Sequence, residues 1–432
     1  MKIKNFDELA VSDARRALLT IAEAGLEAID TTVVLREMIK LDSDQLTIGT
    51  ERIDLAAIGK IVFIAIGKCS SEAGTVAEEI LGDRIARGVV VDVKVCPVMK
   101  KLQTFCGTHP LPSNDNLAAA EAVVNALRGL EEKDLVIFTI SGGGSTLLFL
   151  PENRANREEE KIFTALTDAG ATIEEINAVR KHLSLARGGH LAKSAYPARV
   201  ISLIFSDVPS NDIRSIASGP TVRDATTMED AVQILARFDV LKICPIENCG
   251  LIETPKEEKY FERVTNILAV SNIRALEAMR KRAVELGFSA EVRSTSLSEE
   301  AVNVSAMMSR DITAAPAKSV ILWGGETTVV VHGSGEGGRN LLVSAAALAT
   351  IKEGEEILSL ASDGRDHGPY AGAICDMLTK ESAIKAGGGS MDFAAKAIAE
   401  SDTYPFFEKV GHYVMTGDTG SNVSDLMIAL KE

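Results

Sequence analysis

No apolar run in this chain reaches the roughly 20 residues needed to cross a bilayer. Its N-terminus, MKIKNFDELAVSDARR, has neither an apolar signal core nor a cleavage site, so a cytoplasmic protein without a membrane partner is expected. Positive charge is also scarce. Lys and Arg total 46 against 61 Asp and Glu, a net charge of -15, which argues against nucleic acid or an anionic surface as the main partner. The six cysteines (Cys69, Cys96, Cys106, Cys244, Cys249 and Cys375) are scattered, as suits reduced thiols. Cys244 and Cys249 lack a second pair at metal-ligand spacing, which excludes a structural zinc site. There is no H-E-x-x-H helix and no G-x-S-x-G elbow, so zincin and α/β-hydrolase chemistry find no support. Aromatic residues make up only 4% of a chain that is 46% hydrophobic, the composition of an aliphatic globular enzyme rather than a disordered chain.

What the chain does contain is a repeating theme of short apolar run, small or acidic loop, and helix. Its 432 residues exceed one ordinary core, and two domains are expected. Helical spacing covers residues 7–28 and 31–40. Buried-type strands are expected at 60–66, 88–95, 134–140 and 199–205, with helices at 73–81, 114–130 and 173–185 between them. That alternation predicts a Rossmann-like, doubly wound parallel sheet. The pattern weakens over 236–262, which divides the chain into residues 1–240 and 241–432, with the helices of residues 1–45 able to pack on either domain. The second part predicts strands at 266–270, 289–292, 319–323, 356–361 and 411–415, helices at 272–286, 299–314, 341–351 and 371–386, and a last helix after residue 422. It reads as a smaller α/β domain with a mixed sheet. A ligand cleft between the two domains is the natural expectation.

Several loops carry chemistry. Gly67-Lys68 stands at a strand-to-helix turn, where an ammonium joins unpaired backbone N–H groups. Ser141-Gly142-Gly143-Gly144-Ser145 follows a buried strand without a gap, and consecutive glycines let N–H donors converge on phosphate or carboxylate. Asp207 directly follows an apolar strand, and Asp363 and Asp366 stand similarly in SDGRDHG; such carboxylates hold Mg²⁺, take a proton from a hydroxyl or cap helices. His109 and the cationic run around Arg180 read as loop and solvated-face residues when taken alone. The stretch GGETTVVVHGSGEGGRN, residues 324–340, matches the dinucleotide pattern at Gly333, Gly335 and Gly338, but presents Arg339 on the same turn. Because only Gly324-Gly325-Glu326 separates 319–323 from 327–331, a β-hairpin is expected there. Together the anion-type loops, Lys68, Arg339 and the strand-end aspartates suit phosphoryl transfer, which depends on positioning and charge neutralisation.

In order along the chain, IGK at Ile66, THPLP at Thr108, SGGGST at Ser141, NAVRKHLS at Asn177, SDVPSNDIRSIASGPT at Ser206, GGETT at Gly324, GGRN at Gly337, SDGRDHG at Ser362, SDTYPFF at Ser401 and TGDTGSNVSDL at Thr416 resemble the class II glycerate 2-kinases with a MOFRL-type C-terminal domain. The resemblance implies ATP-dependent phosphorylation of D-glycerate to 2-phosphoglycerate with Mg²⁺, and is compatible with a homo-oligomer. It implies Lys68, Asp207 and Arg339 as catalytic residues. Ser141, Gly142, Gly143, Gly144, Ser145, Arg180, His109, Gly325, Glu326, Thr327, Asn340, Thr416, Gly417, Thr419 and Asn422 would bind substrate or phosphate, and Asp207, Asp363 and Asp366 are the metal candidates. The chain departs from the family pattern where Leu341-Leu342 replaces Gln-Glu after GGRN, where Tyr370 replaces a Thr-Asp pair, and where Asp418 replaces a proline. Three alternatives remain open at this point: an NAD(P)-dependent hydroxypyruvate reductase, a kinase for another short hydroxy acid, and a non-catalytic binder of phosphorylated metabolites.

Overall fold

The computed structural model describes residues 1–93, 97–153, 158–244, 247–331 and 335–432. They form two compact units. One comprises residues 34–207 and 211–269, the other residues 1–33, 208–210 and 270–432. The division therefore falls later than the expected boundary at 240, and the first 33 residues join the C-terminal unit. Among the described residues no helix is long and apolar enough to cross a membrane.

The first unit opens with a small antiparallel sheet that the sequence pattern did not reveal: β1 (Ile39–Asp42), β2 (Gln45–Ile48) and β3 (Glu51–Asp54). Its main sheet contains β4 (Ile61–Ile66), β5 (Ile85–Asp92), β6 (Leu102–Cys106), β7 (Leu135–Ile140), β8 (Arg199–Phe205) and β9 (Val264–Val270). The strands lie in the order β6-β5-β4-β7-β8-β9, and the pairs β6/β5, β5/β4, β4/β7 and β7/β8 are parallel. Every residue of IVFIAI in β4 and of LVIFTI in β7 is buried, as a strand covered on both faces requires. From β4 the chain works outward through β5 to β6, and from β7 outward through β8 to β9. The order reverses between β4 and β7, which makes their carboxyl ends the switch point where ligands collect in such sheets. Residues 266–270, assigned from the sequence to the second domain, form the edge of this sheet. The turn-rich loop CGTHPLP, residues 106–112, is preceded by β6, which ends at Cys106 and which the sequence reading omitted.

The second unit has a mixed sheet of β10 (Ser289–Leu297), β11 (Ser319–Gly325), β12 (Glu355–Ala361), β13 (Gly372–Cys375), β14 (Tyr413–Val414) and β15 (Asp425–Lys431), ordered β10-β11-β15-β12-β13-β14. Among the described strand pairs of this sheet, β10/β11 is parallel, and β11/β15, β12/β15, β12/β13 and β13/β14 are antiparallel. The chain's single tryptophan, Trp323, packs in the core of this unit with Leu341, Phe406 and Phe407.

Three expectations fail here for identifiable reasons. Residues 327–331 do not pair back on β11 as a hairpin. The Glu326 N–H donates to the Leu297 carbonyl at 2.7 Å and the Thr328 N–H to the Glu299 carbonyl at 3.1 Å, so this segment follows the exit of β10, while the other edge of β11 belongs to β15. The expected last helix is β15, a strand buried on both faces at the centre of the sheet. The expected helix 371–386 begins as β13 and becomes helical only at Met377, where the Asp376 side chain accepts the Thr379 N–H. One cysteine expectation also changes: Cys244 and Cys249, read as reduced thiols, form a disulfide with Cα atoms 5.1 Å apart. Cys96 and Gly333 lie outside the described residues.

Candidate active site

Three sequence candidates meet at the carboxyl ends of the adjacent strands β4, β7 and β8. The backbone ladder between β4 and β7 continues past the strands: the Ser141 N–H donates to the Ile66 carbonyl at 2.9 Å and the Lys68 N–H to the Gly142 carbonyl at 3.0 Å. Gly67 has φ +119°, and a β-carbon there would lie 2.6 Å from the Ser141 carbonyl oxygen. Only glycine allows the two strand exits to run this close. Lys68 is thereby placed beside the N-terminus of the helix Ser70–Leu81.

The glycine run is a contact surface for side chains. A β-carbon on Gly142 would come within 2.6 Å of Asp207 Cγ, and one on Gly143 would lie 3.3 Å from Lys68 Cγ and 3.5 Å from His109 Cδ2. Gly143, at φ +83°, is the N-cap of the short helix Gly144–Leu147. Asp207 therefore rests against Gly142, while the Lys68 and His109 side chains cross Gly143. Burial and the neighbouring Lys68 and Arg180 cations push the His109 pKa below its ordinary value, so its imidazole stays neutral at physiological pH.

Arg180 is tied in place by Thr146 Oγ1 at 3.1 Å and by Glu159 Oε1 at 3.2 Å. Glu159 also accepts from the fully buried Arg187 at 3.0 Å. The Ser145 hydroxyl meets that of Ser218 at 2.9 Å, and Ser141 Oγ lies 3.4 Å from the Cys69 N–H. Ala217 and Ser218, at φ +50° and +59°, hold left-handed backbone against this loop; such strain persists where surrounding structure enforces it, often at functional sites.

Sequence reasoning missed Asn116. It is wholly buried, accepts from the Thr108 N–H at 2.8 Å and donates to the Thr108 and Thr146 carbonyls at 2.9 and 3.0 Å. It thus fastens the His109 loop to the glycine-run helix. Its signal was the capping position after Ser113, where the two residues form a capping box.

In the other unit the candidates centre on Arg339, the first residue of the helix Arg339–Ala347. Its Nε donates to Asp425 Oδ2 at 2.7 Å and its Nη1 lies 3.0 Å from Glu326 Oε1. Burial opposes the guanidinium charge, but Asp425, Glu326 and Asp366 outweigh it and raise the Arg339 pKa. Asn340 donates to Asp425 at 2.8 Å and to Asp366 at 3.1 Å, and accepts from Ser359 Oγ at 2.6 Å. The Thr327 N–H donates to Asp425 at 3.3 Å. Asp425, which lies inside the TGDTGSNVSDL motif but was given no role in the sequence reading, is the hub. Burial pushes its pKa up to about 6, against the pull of Arg339.

The metal candidates fare unevenly. Asp366 caps the Arg339 helix, accepting from the Asn340 N–H at 3.1 Å and the Leu341 N–H at 2.7 Å, so both its oxygens are engaged. Asp363 closes a local turn by accepting the Arg365 N–H at 3.0 Å. Among the described residues, no group of three or more His, Cys, Asp or Glu is arranged to hold a metal ion. The Thr416–Asn422 loop mainly braces its neighbour: Thr419 Oγ1 donates to the Ser362 carbonyl at 2.6 Å, and Asn422 Oδ1 accepts the Ser424 N–H at 2.9 Å. Gly325 is a strand residue pressed against Leu297.

Residues 17–248 match a domain of unknown function, DUF4147, and residues 319–425 match the MOFRL family. A D-glycerate 2-kinase of Thermotoga maritima is 36% identical over 389 residues, 86% of this chain and 91% of that protein. A protein of Agrobacterium vitis named for hydroxypyruvate reductase activity is 34% identical over 388 residues, 86% of this chain and 87% of its own. The crystal structure of glycerate kinase from Thermotoga maritima superposes with a TM-score of 0.86 at 31% identity, covering 96% of this chain and 99% of that one. The chain belongs to the glycerate 2-kinase family with a MOFRL-type C-terminal domain.

Proposed function

We propose that the protein transfers the γ-phosphoryl group of ATP to the 2-hydroxyl of D-glycerate. The observation that carries this reading is the convergence of Lys68, the 141–145 glycine run and Asp207 at the ends of three neighbouring strands, beginning at the switch point between β4 and β7. Lys68, the N–H groups of the glycine run and the Ser70–Leu81 helix terminus favour phosphoryl oxygens. Arg180 and neutral His109 border the same run. Asp207, packed on Gly142, orients the acceptor hydroxyl and takes its proton. Arg339, held by Asp425 and Glu326, offers its remaining N–H groups to an anionic oxygen of phosphate or carboxylate.

Mg²⁺ in kinase sites is held by one or two carboxylates together with substrate phosphates. Asp366 caps the Arg339 helix; Asp207, at the exit of β8 against the glycine run, is the carboxylate that would hold the ion. Bound there, the ion would neutralise phosphate charge.

The reductase reading draws on the name of the Agrobacterium relative and on the G-x-G-x-x-G spacing. In a dinucleotide site those glycines follow the strand and open the helix directly. Here residues 326–338 intervene between β11 and the Arg339 helix, and the reductase reading leaves Lys68 and Asp207 without roles. The deciding experiment supplies the purified protein with ATP, Mg²⁺ and D-glycerate and identifies the product by ³¹P NMR; a parallel reaction contains hydroxypyruvate and NADH. Formation of 2-phosphoglycerate without NADH oxidation is expected. NADH oxidation without ATP turnover would overturn the reading.

A further inference from the structure

Beside the glycine run, one carboxylate stands between two guanidinium groups. Glu159 opens the helix Glu159–Asp168, and Arg180 lies in the last turn of the helix Ile173–Lys181. Glu159 Oε1 is 3.2 Å from Arg180 Nε and 3.0 Å from Arg187 Nη2, and its Oε2 accepts from Arg187 Nη1 at 3.0 Å. The same Nη1 donates to the Arg180 carbonyl at 3.0 Å. Arg187 thus grips both the backbone of Arg180 and the carboxylate that holds its side chain. Arg187 is completely buried, whereas the Arg180 side chain keeps 14% of its surface exposed. The Arg180 guanidinium lies over Phe163, 5.3 Å from the ring centre, and its Nη2 donates to Thr146 Oγ1. A guanidinium has five N–H groups; beyond those facing Glu159 and Thr146, the rest have no partner among the described residues.

This arrangement is ill suited to stability alone. Arg187 Nε is buried with no hydrogen-bond partner, and buried ion pairs are often replaceable by apolar side chains without loss of stability. The second arginine matters for charge. Glu159 and Arg180 by themselves would form a neutral pair; with Arg187 added, the cluster keeps a net positive charge, and Arg180 is its member nearest solvent. Burial lowers the Arg187 pKa, with Glu159 opposing that shift and Arg180 reinforcing it, so each guanidinium feels the other as well as the carboxylate. We propose that Arg187, acting through Glu159, positions Arg180 and leaves its charge uncancelled, and that Arg180 binds the carboxylate of the acceptor acid. Phosphoryl oxygens already have Lys68, the glycine-run N–H groups and a helix terminus. The acceptor's carboxylate calls for a planar charged donor, and His109, close enough to Arg180 for its pKa to be depressed by it, is neutral. This role rests on the kinase reading for the identity of the acid, and adds what selects an acid over a neutral polyol.

The test is isothermal titration of the full chain with D-glycerate and, separately, with ATP and Mg²⁺, alongside steady-state KM and kcat. Arg187→Met removes the buried charge at similar length. It should weaken D-glycerate binding and raise the D-glycerate KM about tenfold, while the ATP constants stay within about twofold. Arg187→Lys, which restores the charge, should recover most of that loss. Equal losses for both ligands, no loss for D-glycerate, or no rescue by lysine would overturn the role. Arg180→Gln, at a partly exposed position, decides the matter if Arg187→Met fails to fold: it should lose at least about tenfold in D-glycerate affinity and little for ATP, and any other pattern counts against the role. Absence of ATP turnover in the parent, with D-glycerate binding that still follows the Arg187 charge, would sink the kinase reading alone. A parent that binds no D-glycerate would overturn both.

Discussion

Arg339 and Asp425 face each other across a 2.7 Å charge-assisted hydrogen bond in which the carboxylate is completely buried and the guanidinium only partly so. Asp425 is shared among Arg339, Asn340 and the Thr327 N–H. It fixes where the arginine points rather than meeting substrate itself. Burial brings its pKa to about 6, with Arg339 and Asn340 pulling downward and Asp366 upward. Protonation below that value removes the charge that anchors Arg339. Turnover should therefore fall on the acid side near pH 6, and Asp425→Asn should flatten this limb while lowering kcat by about 10–100-fold. A pH–rate profile of both proteins checks it; an unchanged acid limb in the variant would assign the ionisation elsewhere.

Gly142→Ala offers a steric test of Asp207. The added methyl would contact the Asp207 side chain, with Cγ at 2.6 Å and an oxygen closer still. Gly142 does not have the positive φ that would itself penalise alanine, so the carboxylate must move instead. Displacing a reacting group by about 1 Å costs on the order of 100-fold in rate. We expect kcat to drop by that factor with little change in the melting temperature. Preserved kcat would show that Asp207 tolerates displacement and is not the proton acceptor.

Much of the first unit was legible because its signals are local. Lys68, Ser141 and Asp207 each follow an uninterrupted apolar strand, and parallel strands gather their exits on one edge of the sheet. The second unit was harder to read. The run DLMIALK in β15 lacks alternation, and a strand buried on both faces cannot be told from a buried helix by periodicity. Asp425, at its first position, therefore carried no visible role. The hairpin expectation treated Gly324-Gly325-Glu326 as a turn, yet Gly325 is still within β11. Whether residues 264–270 belong to one sheet or another depends on the partner strand β8, far away in sequence.

Asn116 provides a stability prediction near the first site. It is wholly buried and uses its amide for both donor and acceptor bonds. Asn116→Ala would strand the buried Thr146 carbonyl, an unsatisfied group costing about 1–3 kcal/mol, and would leave the part-buried Thr108 N–H to solvent. A loss of about 1–3 kcal/mol in urea unfolding is expected, together with weaker substrate binding as the His109 loop loosens. A loss confined to KM with unaltered stability would contradict a scaffolding role.

Glu356 makes a prediction with a definite sign. Its folded pKa of about 8 lies above the ordinary value of 4.5, through burial and the facing Asp376 and Glu432 carboxylates, against the attraction of Arg15. Between those values the folded protein holds a proton that the unfolded chain has released. Rising pH therefore favours unfolding across this window. Glutamine keeps the shape and cannot ionise. In choline buffer, Glu356→Gln and the parent should melt alike near pH 4.5, and the variant should gain progressively up to about pH 8, beyond which the difference levels off. Melting curves at half-unit pH steps measure it. A constant offset would mean that Glu356 is ionised in the folded protein throughout.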